Sequence, residues 1–258
     1  MNKLNGRHVL GVVALAVAAI LITTGLAAAE KPVRVVVGEF ETVFNGGFSP
    51  KVMSKTKPTP ITFSISGQII RHNEINPNEK HPPALKEFLL EGDKHAGISV
   101  KGIPACTAGK LNSQNTTQAR KICGPALIGT GKTLVGIKFP EQPEIETKSE
   151  LLVFNGGFKG GVTTLFIHAY ITVPTPAAVV TTVKIKKIHK GRYGLLSVAS
   201  IPKIAGGSGS VKSFSLKLNK GIISATCPDG HLNARGTAIF AEGLHISGEV
   251  TRLCTGKG

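Results

Sequence analysis

From residue 33 to residue 250 the chain repeats one pattern: short runs in which apolar and polar residues alternate, or β-branched residues cluster, closed by Gly, Pro or Asn. Ile61, Phe63 and Ile65 fall on one face of such a run, with Thr62, Ser64 and Ser66 on the other. The same reading predicts strands at 33–37, 61–66, 97–103, 133–139, 162–173, 179–188, 193–201, 211–218, 221–227, 236–241 and 244–250. One helix is expected, Pro83 to Glu91, with Pro at its first turn and Leu85, Phe88 and Leu89 spaced for one face. Many short strands between turn residues imply an all-β chain. The expected architecture is one or more antiparallel β-sandwiches, or a barrel-like relative, with one short helix.

The pentapeptide FNGGF occurs twice, at Phe44–Phe48 and Phe154–Phe158. Asn-Gly tolerates positive φ, so each copy is read as a turn ending an extended run. Coincident turn chemistry, a duplicated β-unit and a glycine-rich ligand loop all account for the repeat. Duplication would divide the chain into β-units at 30–145 and 146–258; a single continuous β-domain is the alternative.

Residues 1–29 read as an export signal. Lys3 and Arg7 precede an uncharged apolar run, Val9 to Leu26, and Ala27-Ala28-Ala29 fits the small-residue cleavage rule. The run is also long enough to serve as an uncleaved anchor. Either way the expected location is extracytoplasmic, secreted or tethered. The four cysteines agree, because an even count outside the cytosol implies disulfides. Three pairings are open; proximity in sequence favours Cys106 with Cys123 and Cys227 with Cys254.

Charge narrows the partners. The chain carries a formal +16, or +14 once Lys3 and Arg7 leave. Such a surface attracts acidic wall polymer, anionic headgroups or nucleic acid. The sharpest basic feature is Val183 to Arg192, where Lys184, Lys186, Lys187, Lys190 and Arg192 form a ribbon. A solvated edge protected by lysines is the alternative reading. With no Trp and two Tyr, stacking platforms for nucleic acid or sugar are scarce.

Several segments carry a resemblance: LLVFNGG, LFIHAYITVPTP, GRYGLLSVASIPKIAGGSGSVKSFSLKL and CPDGHL in the second half, and KPTPITFSISGQI, PPALKEFLLEGDKH and GIPAC in the first. They resemble a group of exported β-rich proteins of actinobacterial type. The resemblance implies a recurring exported architecture and no particular activity.

Catalytic motifs are incomplete. ALIGTGKT (126–133) has Ala126 where a phosphate-binding loop needs Gly. GGSGS (206–210) ends in Ser210 where a nucleophile elbow needs Gly, and reads as a flexible turn. His72, His81 and His95 cluster in sequence with Glu91 and Asp93, but their spacing matches no metal template. His168 reads as a hydrogen-bonded strand histidine sharing a face with Phe166 and Tyr170. Asn115-Thr116-Thr117 is a glycosylation sequon, expected to be unused in a bacterial setting. The reading is an exported non-enzymatic β-protein that binds or builds at the cell surface, with no cofactor. A hydrolase or metal-dependent enzyme using the His72/His81/His95 region is the alternative, and a module for a protein partner the third.

Overall fold

The computed structural model describes residues 30–76 and 78–258; the expected export segment lies outside the described residues. Lys31–Gly258 forms one compact unit. Its strands are β1 (Val33–Val37), β2 (Phe40–Ser49), β3 (Val52–Ser54), β4 (Thr59–Arg71), β5 (Leu85–Asp93) and β6 (Ala96–Ile98), then β7 (Leu127–Ile137), β8 (Ile145–Lys159), β9 (Val162–Ile171) and β10 (Ala177–Lys190). They continue with β11 (Tyr193–Ser200), β12 (Gly209–Ala225), β13 (His231–Phe240), β14 (His245–Leu253) and β15 (Thr255–Lys257). Two helices, α1 (Ala108–Leu111) and α2 (Thr116–Cys123), stand between β6 and β7.

One sheet dominates, in the order β1-β2-β4-β12-β7-β8-β9-β10-β11-β5-β13-β14, with β6 added to β12. Each of these pairings is antiparallel. The all-β, antiparallel, disulfide-bearing class read from the sequence is therefore correct. The layering is a single sheet rather than two stacked ones. Its ends, β1 and β14, pack against each other without a hydrogen-bonded ladder, giving a nearly closed barrel. Strand twist and register shifts at Leu218/Ile223, Asn155/Gly157 and Lys187/Lys190 curl the sheet. Strands from the two halves of the chain interleave: β12 lies between β4 and β7, and β5 between β11 and β13.

Alternation decides what the barrel holds. On β14, Ile246, Gly248, Val250 and Arg252 are buried while Ser247, Glu249 and Thr251 are exposed. On β10, Val183 and Ile185 point in and Lys184 and Lys186 point out. Apolar-in, polar-out is the reverse of a membrane-spanning barrel. Among the described residues no helix is long and apolar enough to cross a membrane.

The disulfides join Cys106 to Cys123 and Cys227 to Cys254, the pairing that sequence proximity favours. They suggest folding in an oxidising, extracytoplasmic environment. The first staples the α1–α2 segment, whose Leu111 and Ala119 pack on Leu152, Phe154 and Phe166 on the outer wall. The second ties the end of β12 to the end of β14, beside the parallel pair β3–β15.

Two local expectations fail. The predicted helix Pro83–Glu91 is strand β5, laddered on both sides to β11 and β13. Phe88 and Leu90 line the interior with Gly92, so an apolar cluster that also fits a helical stripe is taken by two ladders. The FNGGF copies are not turns: the first lies within β2 and the second within β8. The segment between Cys106 and Cys123 holds α1 and α2. Asn115, the sequon residue, caps α2: its side chain accepts from the Gln118 amide at 2.9 Å while Gln118 accepts from the Asn115 amide at 3.1 Å.

Candidate functional site: an apolar cavity inside the barrel

The antiparallel connections alternate between the two ends of the barrel. The end bearing connections 72–84, 138–144, 201–208 and 241–244 is filled. There Phe44, Ile69, Leu85, Phe240 and Ile246 pack in one cluster, and Val135, Ile137, Ile171 and Ile204 in another. The half toward the opposite end, which carries both disulfides, is packed around Met53, Ile61, Ala225, Cys227 and Leu232 but is not completely filled. It encloses a cavity of about 210 Å³.

The lining is almost wholly apolar. Ile61, Phe63 and Ile65 come from β4, Phe88 and Leu90 from β5, and Leu165 and Ile167 from β9. Val183 and Ile185 of β10 and Phe214, Leu216 and Leu218 of β12 complete the wall. Phe63, Ile65 and Leu216 are only half-buried although they face inward, so the space is open to a small molecule. Small residues make the room: Ala199, Ala234, Gly92 and Gly236 face it where larger side chains would fill it. An apolar cavity of about 150 Å³ is large enough to take up benzene.

Polar groups converge at one side. Asp93 is buried and accepts the Asn233 amide at 2.9 Å and the His95 amide at 2.9 Å. The Arg252 guanidinium donates from Nε to the Gly46 carbonyl at 2.6 Å and from Nη2 to Asn45 Oδ1 at 2.8 Å. Arg252 thereby bridges β14 to the first FNGGF copy, across the seam where β1 no longer covers β2. Asn45 also accepts the Gly46 amide at 2.8 Å. Asn155, in the second copy, accepts from the Gly157 amide at 2.8 Å and donates to the Ile103 and Pro104 carbonyls at 2.9 and 3.1 Å. Both asparagines fold onto their own backbone and hold a neighbouring segment. That common use of the motif was not visible in the sequence.

The histidines do not assemble. His72 meets Glu41 at 2.9 Å and His81 meets Glu144 at 2.8 Å, both at the filled end. His95 lies at the other end, 2.9 Å from Asp93. Among the described residues no group of three or more metal-ligating side chains is gathered. His168 is fully buried under α1–α2, where its Nε2 donates to the Gln114 carbonyl at 2.8 Å. Burial pushes its pKa below the ordinary histidine value, against that hydrogen bond. The two sequence motifs dissolve into structure: Gly129 to Thr133 belong to β7, and Ser210 donates to the Pro83 carbonyl at 2.7 Å.

The basic ribbon lies on the outer wall. Lys184, Lys186 and Lys187 are exposed. Lys190 pairs with Glu91 at 3.2 Å, and Arg192 with Glu249 at 2.6 Å. Arg235 also reaches Glu91 and Glu249, and both arginines flank the Tyr193 ring. Two of the five ribbon cations are thus built into an ion-pair network, and Lys184, Lys186 and Lys187 form no ion pair among the described residues. Compared with known protein families, curated proteins and solved structures, the chain matches none.

Proposed function

We propose that the chain is an exported, non-enzymatic binding protein that carries an apolar ligand, a hydrocarbon chain or ring, inside its barrel. The cavity is the observation that carries this reading. Its wall offers surface to bury and almost nothing to react, and burial of apolar surface is worth roughly 25 cal/mol per Å². A large apolar pocket with a few polar groups on one side is the usual form of a small-molecule site. The enzymatic alternative is less favoured because its three histidines lie at opposite ends.

The reading is tested by titrating the protein with a fatty-acid fluorophore and by native mass spectrometry of protein recovered from an exporting host. Ala199→Trp and Ala234→Trp place indoles in the cavity. Uptake by the parent protein and a loss of tenfold or more in either variant is the expected result. No uptake of fatty acid, isoprenoid or aromatic probe, or uptake unchanged by both substitutions, would overturn it.

A further inference from the structure

The two ends of the barrel carry opposite charge. At the filled end, connections 38–39, 72–84, 138–144, 172–176, 201–208 and 241–244 hold six glutamates against Lys80, Lys138 and Lys203. At the cavity end, connections 50–58, 94–126, 160–161, 191–192 and 226–230 and the terminal 254–258 hold ten lysines and arginines against Asp229 alone. Three of the ten, Lys110, Arg120 and Lys121, stand on the helical segment. Lys55, Lys57, Lys94, Lys101 and Lys257 are exposed and form no ion pair among the described residues.

The same end exposes apolar side chains between its cations. Phe158 is 67% exposed and Val52 42%. Phe158 and Lys159 lead into a hairpin turned by Gly160 and Gly161, both at positive φ, so the ring stands at the rim. The opposite end also exposes Ile75 and Val36, but beside glutamates that an anionic surface repels.

We infer that the cavity end of the barrel docks on the surface of an anionic lipid bilayer. Lysines at that end face the headgroups, and Phe158 enters the interface. The charge asymmetry orients the molecule, because its acidic end is driven away. Docked in this way, the half of the barrel that holds the cavity lies against the bilayer, where an apolar ligand would be taken up or released. The docking rests on the carrier reading for its purpose alone, and the two fail separately: fluorophore uptake without vesicles tests the cavity, and vesicle binding tests the face.

The experiment uses residues 30–258, which contain the whole compact unit Lys31–Gly258 with both disulfides and every strand and core cluster among the described residues. They are co-sedimented with vesicles of phosphatidylcholine alone and with added phosphatidylglycerol. A lysine near an anionic surface is worth about fivefold in binding. Lys55→Glu, Lys57→Glu and Lys101→Glu together should weaken binding to the anionic vesicles at least a hundredfold, and Phe158→Ser about tenfold. Lys80→Glu with Lys203→Glu, at the opposite end, should leave it unchanged. Circular dichroism and a thiol assay confirm that each variant folds. Equal binding to both vesicle types would overturn the proposal, as would equal loss from reversal at either end. Salt-sensitive binding to a soluble polyphosphate or to DNA, with none to vesicles, would also overturn it.

Discussion

At the level of single residues, the chain uses polar groups to pin segments together, and sequence alone conceals the partners. His168 was legible as a hydrogen-bonded strand histidine, and it is one; that it donates to the turn between two helices was not, because Gln114 lies 54 positions away. Its pKa is depressed by burial, so between the folded value and the ordinary 6.5 the unfolded chain binds more protons. Stability is therefore full above pH 6.5 and falls as the pH drops below it. Chemical denaturation from pH 7.5 to 5 should show that fall, and His168→Leu should flatten it while costing about 1–3 kcal/mol at neutral pH through the orphaned Gln114 carbonyl. An unchanged slope in the variant would assign the dependence elsewhere. Gly248 offers a second check. A Cβ there would stand 2.5 Å from Phe44 Cδ2, so Gly248→Ala should cost about 1–3 kcal/mol by overpacking, read as a lower urea midpoint at constant slope.

Among the elements, strands with a clean period of two were readable, and those that broke it were not. Val33–Val37 and the run from Tyr193 were placed within a residue of their observed bounds. β5 was missed because Leu85, Phe88, Leu89 and Leu90 put apolar residues on both faces of a strand, which a helix stripe also explains. β2 and β8 were missed across FNGGF because Asn-Gly signals a turn wherever the chain is free to make one. Inside the barrel each Asn-Gly pair is held in extended chain by a ladder on one side, to β4 for the first copy and to β9 for the second, where the register shifts between Asn155 and Gly157 (φ 97°). The α1–α2 segment is held by the Cys106–Cys123 bond and by the capping box at Asn115. Opening that bond with Cys106→Ser and Cys123→Ser should cost about 3 kcal/mol. Proteolysis of the native double variant should then begin within 104–126 and leave the strands intact. First cleavage in any strand would show that the segment does not unfold as its own unit.

For the whole molecule, the all-β class followed from local pattern, but the barrel and its cavity depend on strand order. Neighbours such as β4 and β12, or β5 and β13, are separated by more than a hundred residues, and nothing local records their meeting. The cavity was invisible for the same reason: Ile61, Leu165, Val183 and Leu216 each read as ordinary core residues, and only the curvature of the sheet leaves a space between them. Closure is incomplete at one place. β1 and β14 are the two edges, their outward amides and carbonyls lack a ladder, and side chains hold the seam. Phe44 packs under Gly236 and Gly248, and Arg252 bonds to Gly46, Asn45 and the Lys31 carbonyl. Amides that lack a ladder open with little work, whereas those between two ladders open only when the sheet does. Hydrogen exchange should thus be fastest in β1 and β14 and slowest in β7, β8 and β9. Arg252→Ala removes the bridge without touching any ladder. It should raise exchange in β14 and in Asn45–Ser49 at least tenfold while leaving β8 and β9 as they were. A uniform rise throughout the sheet would mean that Arg252 supports the entire fold, and that the seam is no weaker than the rest of the wall.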